Sequence, residues 1–279
     1  MAGQDFAGAD TQWRFLNSGK QRGNVNMAID MAMTLAASQG EAPATLRVYG
    51  WQPPTISLGY HQSEHDVDLD RCRKDHIDVV LRPTGGRAIL HHNELTYAVS
   101  VPPNSPFFAE DIRSVYERLS LCLVRSLQRL DINVDFERAK KTPKDFSRGE
   151  LSALCYASSV QHEIGIGRRK MVGSAQRRIN GAVLQHGSIL IGDEHLNISR
   201  YLAAKDEQWQ QRVRDYMQKN TISLNEICPS PVTYDRLAVA LKRGFEQELG
   251  ITFVDSGLTQ QELLHVESLK EKFAILNTD

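Results

Sequence analysis

A glycine pair among basic residues, strand histidines and four scattered cysteines are the groups in this chain with chemistry to offer, and their spacing decides which can act together. In RPTGGRAILHH, Arg82, Gly85 and Gly86 run into a short apolar segment that ends at His91 and His92. Glycine reaches positive φ without a steric penalty and lets a ligand approach the backbone, so Gly85 and Gly86 either line a binding site with exposed amides or form an ordinary tight turn. No phosphate-loop pattern accompanies them, and the pair alone leaves both readings open. Farther along, GRRKMVGSAQRRINGAVLQHGSIL joins Lys170 to a second glycine turn, Gly173, Ser174 and Ala175, and to His186. Backbone amides at either turn suit the oxyanion of an acyl-transfer intermediate. A lone strand histidine is more often hydrogen-bonded and structural than catalytic, and His91 and His186 carry both readings; His92 should face the other way.

The cysteines, Cys72, Cys122, Cys155 and Cys228, are widely spaced, with no CxxC and no pairing that suggests zinc or a disulfide, so each is read as a free thiol. A thiol of pKa about 8.5 is only a few per cent thiolate at neutral pH, and a nucleophilic cysteine gains from a nearby cation. Cys122 lies on a helical apolar stripe, Cys72 among charges on a short helix, and Cys228 just before PSP. Only Cys155 stands just before a glycine-rich meander that offers a cation. Strand alternation sets Lys170 on the face opposite Arg169 and Met171. Turned inward, Lys170 stabilises a thiolate and exchanges a proton with a leaving group or an incoming amine; turned outward, it is a solvated hairpin charge.

These residues need a scaffold, and the chain is long enough to bury one: 279 residues, 41% of them hydrophobic. NVNMAIDMAMTLAASQG predicts a buried helix ending at Gly40, and ATLRVYGWQPPTISLGYHQ two strands separated by the Gly50 to Pro54 turn. A short charged helix through VDLDRCRKDH leads to the strand DVVLRP, and AILHHNELTYAVSV alternates well enough for one or two more strands. Ile112, Val115, Leu119, Cys122, Leu123 and Leu127 form the clearest helical stripe. The basic stretch ERAKKTPKDFSRGELSA reads as an exposed loop, the residues from SVQHEIGIG to SILIG as a glycine-punctuated meander, and the chain beyond Leu196 as helical. This pattern argues for an α+β domain on a mixed or antiparallel sheet: one catalytic domain over 1–279, with its core near 13–200 and a helical segment near 201–279.

Charge and hydropathy limit the partners. Thirty-three basic against thirty-four acidic residues leave a net charge of −1, so no overall field draws the chain to nucleic acid or anionic lipid. The N-terminus lacks the features of a secretion signal, and no stretch approaches the roughly 18 apolar residues of a membrane helix, so a cytoplasmic protein is expected. A basic site must be local, and Arg168, Arg169, Arg177 and Arg178, with Lys140, Lys141 and Lys144, are its candidates.

RPTGGRAILHHNELTYAVSV resembles the signature of the biotin/lipoate protein ligase superfamily, in which a basic residue, a Gly-Gly pair, an apolar strand, a histidine and a returning strand line the acyl-binding site. NMAIDMAM, PTISLGYHQ and GRRKMVGSAQRRINGAVLQHGSIL match in the expected order, so the resemblance spans roughly residues 13 to 200. Within the superfamily the chain most resembles octanoyltransferases of the LipM type, which move an octanoyl group from acyl carrier protein to a lysine of a lipoyl domain. Where many members have two arginines before the glycines, this chain has Arg82 and Pro83, which removes a donor that would suit a phosphate.

The resemblance implies a class II aminoacyl-tRNA synthetase-like catalytic fold, with Cys155 as nucleophile and Lys170 beside it. Arg82, Gly85, Gly86, His91, Gly173, Ser174, Ala175 and His186 are the implied substrate-binding residues. It implies no metal and no cofactor. The implied partners are octanoyl-acyl carrier protein and lipoyl-domain proteins such as glycine cleavage H protein, with neither nucleic acid nor membrane among them. An ATP-dependent lipoate-protein ligase, an octanoyl amidotransferase acting between lipoyl-domain proteins, and a ligand-binding sensor are the alternatives. Chain-length choice requires a bounded apolar pocket, for which Ile89, Leu90, Val172 and Leu184 are candidates; at ~0.8 kcal/mol per methylene, a chain two carbons short loses about fifteenfold in binding.

Overall fold

The computed structural model of the chain describes residues 11–103, 105, 111–138, 162–203 and 206–278. β1 (Gln12–Gln21) leads through α1 (Gly23–Ser38) to β2 (Thr45–Trp51), followed by β3 (Thr55–Leu58), α2 (Leu69–Lys74), β4 (Asp78–Leu81), β5 (Ile89–His91) and β6 (Glu94–Val101). Beyond α3 (Ile112–Gln128) lie β7 (Asp135–Arg138), β8 (His162–Ile166), β9 (Arg169–Ile179), β10 (Ala182–Leu190) and a 3-10 stretch, Glu194–Arg200. The remaining elements are α4 (Glu207–Asn220), α5 (Leu224–Ile227), α6 (Tyr234–Leu249), β11 (Thr252–Asp255), α7 (Gln260–Phe273) and β12 (Ala274–Leu276).

The strands form a large sheet in the order β11, β1, β2, β6, β10, β9, β8, β7 and a small sheet in the order β12, β4, β3, β5. β1 runs parallel to both its neighbours, while the strands from β2 to β7 across the large sheet pair antiparallel. In the small sheet β3 pairs parallel with β4 and antiparallel with β5. Mixed sheets flanked by helices are the α+β architecture the sequence predicts.

Each sheet face has its own apolar cover. Leu119, Leu123, Leu241 and Phe245 of α3 and α6 pack on Leu46, Val48, Tyr97 and Val99 of the large sheet. On the opposite face, Met27 and Met33 of α1 and Val266 of α7 meet Tyr49, Trp51, Ala98 and Leu184. Because both faces are covered, β2 is buried at every position. The small sheet packs Ile56, Leu58 and Val79 against Cys72, Leu196, Trp209 and Met217. Since α1 also contacts β3 and β4, the two sheets converge around it and enclose a space between them.

β2 and β3 flank the Gly50 to Pro54 turn as the sequence predicts, and at Gln52 to Pro54 the chain leaves the large sheet for the small one. The structure corrects the sequence reading in two places. The region beyond Leu196 is not wholly helical, because β11 joins β1 and β12 joins β4. Four or three residues are too few to show a period, and these strands exist because a free sheet edge supplies hydrogen-bonding partners. Ile112, placed on the buried stripe of α3, is 43% exposed at the helix's first position, where Asp111 caps it.

α7 is fixed by Arg14 on β1, whose guanidinium donates to Glu262 at 2.7 Å with both side chains buried. Burial raises the Glu262 pKa, but the hydrogen bonds from Arg14 and from the Thr259 amide outweigh it, and the net shift is downward. α3 and α6 cross closely at Gly244, where a Cβ would lie 2.6 Å from both Cα and N of Ser126. Alanine gains about 1 kcal/mol over glycine in a helix, whereas overpacking a close contact against backbone costs about 1–3 kcal/mol. Gly244→Ala is therefore expected to lower the thermal unfolding midpoint, despite its better helix propensity; a midpoint at or above the parent's would show that the helices separate without penalty.

Candidate active site

Two buried polar networks adjoin on one face of the large sheet, where His186 and Ser188 alternate along β10. In the first, His91 of β5 places Nδ1 2.8 Å from Glu94 Oε1 and Nε2 2.8 Å from Ser57 Oγ. Glu94 also accepts hydrogen bonds from Thr96 and Ser188, each at 2.5 Å. Burial pushes the Glu94 pKa up, yet His91 and the two hydroxyls reverse this and hold it below the ordinary value. Trp51 stacks on the His91 ring with centroids 4.0 Å apart and donates its indole N–H to Thr96 at 2.7 Å.

The second network centres on Asp30 of α1. Its carboxylate accepts from Arg47 Nη1 at 2.6 Å and from the Tyr49 hydroxyl at 2.8 Å, and meets His186 Nδ1 at 2.9 Å. The Arg47 guanidinium also donates to the Asn26 carbonyl at 2.9 Å and to the Asn26 side chain at 2.6 Å, and it covers the Tyr49 ring at 3.8 Å. Burial alone would raise the Asp30 pKa; the Arg47 charge and the bonds from His186 and Tyr49 bring it below the usual carboxylate value. His186 is driven the other way: burial, helped by the Arg82 and His91 charges, outweighs Asp30 and lowers its pKa, favouring the neutral ring. An ionised Asp30 only accepts, so Nδ1 of His186 carries the hydrogen and Nε2 accepts from the Thr84 hydroxyl 2.6 Å away.

The two networks border one narrow pocket, with a cavity volume of about 30 Å³. Arg82, His91, Gly173, Ser174, Ala175 and His186 border it, whereas Gly85 and Gly86 are not among its lining residues. Every polar side chain on its wall is bonded to another protein group. A ligand therefore meets ring faces, methylenes and committed hydroxyls, a surface suited to a hydrocarbon chain.

Several predicted residues act differently from one another within this arrangement. Arg82 donates Nε and Nη2 to the Gly85 carbonyl at 3.1 and 2.9 Å, Nη2 to the Arg87 carbonyl at 2.8 Å, and Nη1 to Ser57 O and Oγ at 2.9 and 3.0 Å. Its guanidinium thus braces the glycine loop from inside. Gly86 sits at φ +93°, and Gly59 packs so tightly on its carbonyl that no side chain fits at Gly59. The Ser174 hydroxyl bonds Tyr97 at 2.7 Å, so only the backbone of Ser174 faces the pocket. Both ring nitrogens of His91 and of His186 are occupied by protein partners, which gives the two histidines an organising role; His92 is exposed. Of the apolar candidates Ile89 borders the pocket, whereas Leu90, Val172 and Leu184 belong to the three cores.

Lys170 is 4% exposed, and an irregularity in β9 sets its direction. Ile164 and Gly165 are consecutive on β8, but their partners on β9 are Val172 and Lys170, so Met171 is an extra residue. Such a bulge resets the alternation of faces. Met171 and Val172 both enter the core under α3 and α6, and Arg169, opposite Ile166, reaches Glu226. Lys170 falls on the other face, the one that carries Gly173, Ala175 and His186. Here β10 has ended as a partner, and the chain after α4 replaces it: Ile222 N–H donates to the Lys170 carbonyl at 3.1 Å, and Thr221 is bonded to His195 at 2.8 Å.

Cys155 lies outside the described residues, as do Lys140, Lys141 and Lys144. The three described thiols are all held protonated. Burial, with Asp68 and Asp75 nearby, pushes Cys72 up to about 12; burial raises Cys122 well above its ordinary value and Cys228 to a lesser degree. The four arginines proposed as a basic face separate into two pairs. Arg168 lies in the turn before β9 and Arg169, paired to Glu226, begins the strand, whereas Arg177 lies eight residues beyond Arg169, roughly 26 Å along an extended strand, with Arg178 next to it. Arg177 donates to the Pro83 carbonyl at 2.8 Å and stacks over Tyr60, so it belongs to the rim of the glycine loop.

Sequence reasoning missed Asp30, Arg47, Glu94 and Ser57, which position the histidines, and Met27, Tyr49 and Trp51, which line the pocket. Asp30 had a signal: it is the only charge in the α1 sequence GNVNMAIDMAMTLAAS, and a buried carboxylate requires a partner. Among the described residues no group of three or more His, Cys, Asp or Glu is arranged to hold a metal ion, and no helix is long and apolar enough to cross a membrane.

Residues 22–246 match the family model of the lipoyl protein ligase A/B catalytic domain. Octanoyltransferase LipM of Kyrpidia tusciae is 36% identical over 262 residues, covering 94% of this chain and 96% of that protein. Octanoyltransferase LipM of Geobacillus kaustophilus is 36% identical over 260 residues, covering 92% and 93%. Among solved structures, the bipartite lipoate protein ligase of Thermoplasma acidophilum superposes with a TM-score of 0.76 at 24% identity, covering 94% of this chain and 93% of that one. Lipoate-protein ligase A bound with ATP superposes with a TM-score of 0.74 at 23% identity, covering 94% and 95%. At these identities the structural likeness is one of fold.

The buried histidines give stability a pH dependence. Burial lowers His186 below its ordinary 6.5 and His195 to about 4, so below about pH 6.5 the unfolded chain binds more protons than the folded one. The stability tied to these neutral rings is complete above pH 6.5 and is lost as the pH falls toward 4. Asp30 and Glu94, held below 3.8 and 4.5, add their losses only in stronger acid. The thermal unfolding midpoint is expected to fall between pH 7 and pH 5, and to fall less in His195→Gln; equal slopes for the two proteins would exclude His195 as a source.

Proposed function

The chain belongs to the lipoyl protein ligase A/B catalytic-domain family and, within it, to the LipM octanoyltransferases, and from that premise we propose that it takes an octanoyl group from octanoyl-acyl carrier protein, holds it as a thioester on Cys155, and passes it to a lysine of a lipoyl-domain protein. It is an acyltransferase of lipoate biosynthesis, in a family that acts on lipoyl domains. The observation that carries the reading is the pocket itself: a narrow space between the sheets whose polar walls are satisfied internally, leaving an apolar interior for an acyl chain. Lys170 stands on the same face of β9 as Gly173 and Ala175 of its wall.

In the first step the Cys155 thiolate attacks the thioester carbonyl; a carbon–sulfur bond forms to Cys155, the bond to the carrier sulfur breaks, and the carrier leaves as a thiol once protonated. In the second, the target amine attacks the acyl-enzyme, an amide forms, and Cys155 is released. Exchange between thioesters is nearly neutral and amide formation is downhill, so the activated donor replaces adenylation. Lys170 is assigned the cation that favours the thiolate and exchanges the proton, and backbone amides near Gly173 to Ala175, or near Gly85 and Gly86, the oxyanion. Arg82, Gly85, Gly86, His91 and His186 are assigned to shaping the acyl site. The elevated pKa values of Cys72, Cys122 and Cys228 favour Cys155 as the nucleophile. The commitment of Arg82 to carbonyls and Ser57 favours acyl transfer over an adenylating reaction, which would call on it for a phosphate. Glycine cleavage H protein is the proposed acceptor and the cytoplasm the proposed location.

Intact-protein mass spectrometry after incubation with octanoyl-acyl carrier protein, without ATP, tests the path. A hydroxylamine-sensitive octanoyl adduct is expected on the parent and not on Cys155→Ala, whose transfer to a lipoyl domain should fall by several orders of magnitude. Acylation that requires ATP and a free acid, and survives Cys155→Ala, would replace this reading with a ligase. An octanoyl-lipoyl protein as the only accepted donor would make the chain an amidotransferase.

A further inference from the structure

Of the pocket's described lining residues, only Ala175 and Gly187 are partly exposed, and both belong to the β9–β10 pair, Ala175 opposite His186 and Gly187 opposite Ser174. The partly exposed side of the pocket is therefore at this strand pair. Its far wall is made by Met27, Tyr49 and Trp51, all buried, from α1 and β2. Two of these cannot yield. Tyr49 is held by Asp30 and covered by Arg47, and Trp51 is held by Thr96 and stacked on His91. Ile89, on the adjoining wall, is β-branched and sits in a strand, so its rotamer is restricted. Met27 is unbranched, makes no hydrogen bond through its side chain, and has the conformational freedom to fill whatever space the chain leaves.

We propose that Met27 sets the length of acyl chain the pocket accepts, making it the specificity-determining residue between octanoyl and longer donors. This rests on the octanoyl-transfer reading. Replacement by alanine removes Cγ, Sδ and Cε, three heavy atoms, at the closed end; a decanoyl chain exceeds an octanoyl chain by two methylenes. The space released therefore matches the longer chain, whereas phenylalanine at the same position shortens the pocket. Burial of two further methylenes corresponds to about fifteenfold in relative specificity.

The test is a competition. The purified full chain receives octanoyl- and decanoyl-acyl carrier protein together with one lipoyl domain, and the two products are quantified by mass spectrometry. Met27→Ala should raise the decanoyl-to-octanoyl ratio about fifteenfold over the parent, and Met27→Phe should lower octanoyl relative to hexanoyl in the parallel competition. An active Met27→Ala with the parent's ratio overturns the proposal. Should Met27→Ala lose its cooperative thermal transition, the Met27→Phe competition decides alone, an unchanged ratio again being fatal. If the parent transfers no acyl group from any carrier, the octanoyl-transfer reading fails separately. Calorimetric binding of hexanoic, octanoic and decanoic acids to parent and Met27→Ala then tests the length gauge, and an unchanged order of affinities sinks it.

Discussion

Asp30 has no exposed surface, and four parts of the fold meet at its carboxylate: α1 carries it, β2 supplies Arg47 and Tyr49, β10 supplies His186, and His186 in turn holds Thr84 of the loop between β4 and β5. A carboxylate and a guanidinium taken out of water lose several kcal/mol of solvation each, so the pair persists only because nearly every remaining donor and lone pair finds a partner. That requirement fixes geometry. Tyr49 is held flat beneath Arg47, His186 is confined to one tautomer, and the glycine loop is tied to the large sheet. Glu94 does the same beside it, uniting His91, Thr96 and Ser188. The site is therefore built around two charges that do not themselves line the pocket.

The sequence conveys the scaffold better than this arrangement. The stripe of α3, the glycine-punctuated meander and the buried α1 all follow from local periodicity, and the structure places them accordingly. β11 and β12 could not be read this way, since each borrows its strand character from an edge far away in the chain. The pocket residues from RPTGG and VGSA were legible because glycine and cation types mark them. Asp30 and Arg47 were half legible: each is the single charge in an otherwise uncharged segment, α1 and the fully buried TLRVYGW of β2. Two isolated charges of opposite sign in successive buried elements imply a pair, but the register that brings them to 2.6 Å is a tertiary fact.

Lys170 shows the limit more sharply. Alternation correctly separates it from Arg169 and Met171, yet in a regular strand it would then share a face with Val172 and lie opposite Gly173. The extra residue at Met171 reverses that relation. No residue type in RRKMVGS announces a bulge, because its cause lies in β8, where Gly165 fits against the Arg169 carbonyl so closely that a side chain would be excluded. A cation is placed on the pocket face by a defect in pairing, and the segment from Thr221 to Ile222 then secures the strand beside it.

The same economy explains how a pocket bordered by so many polar residues suits a hydrocarbon. A hydroxyl or imidazole repels an apolar chain only if entry of the chain strips it of water without replacement, at a cost of about 1–3 kcal/mol for each unsatisfied group. Here Ser57, Thr96, Ser188, His91 and His186 are satisfied before any ligand arrives, so displacing water from the pocket breaks no hydrogen bond that the protein does not already replace. The binding free energy of the chain then comes from area and fit, and is undiminished by desolvation of the walls. Arg82 completes the logic: a guanidinium beside the pocket would attract an anion if its donors were free, but turned onto the Gly85 and Arg87 carbonyls and onto Ser57 it becomes part of the wall. A wall of this kind suits a neutral chain better than an anion.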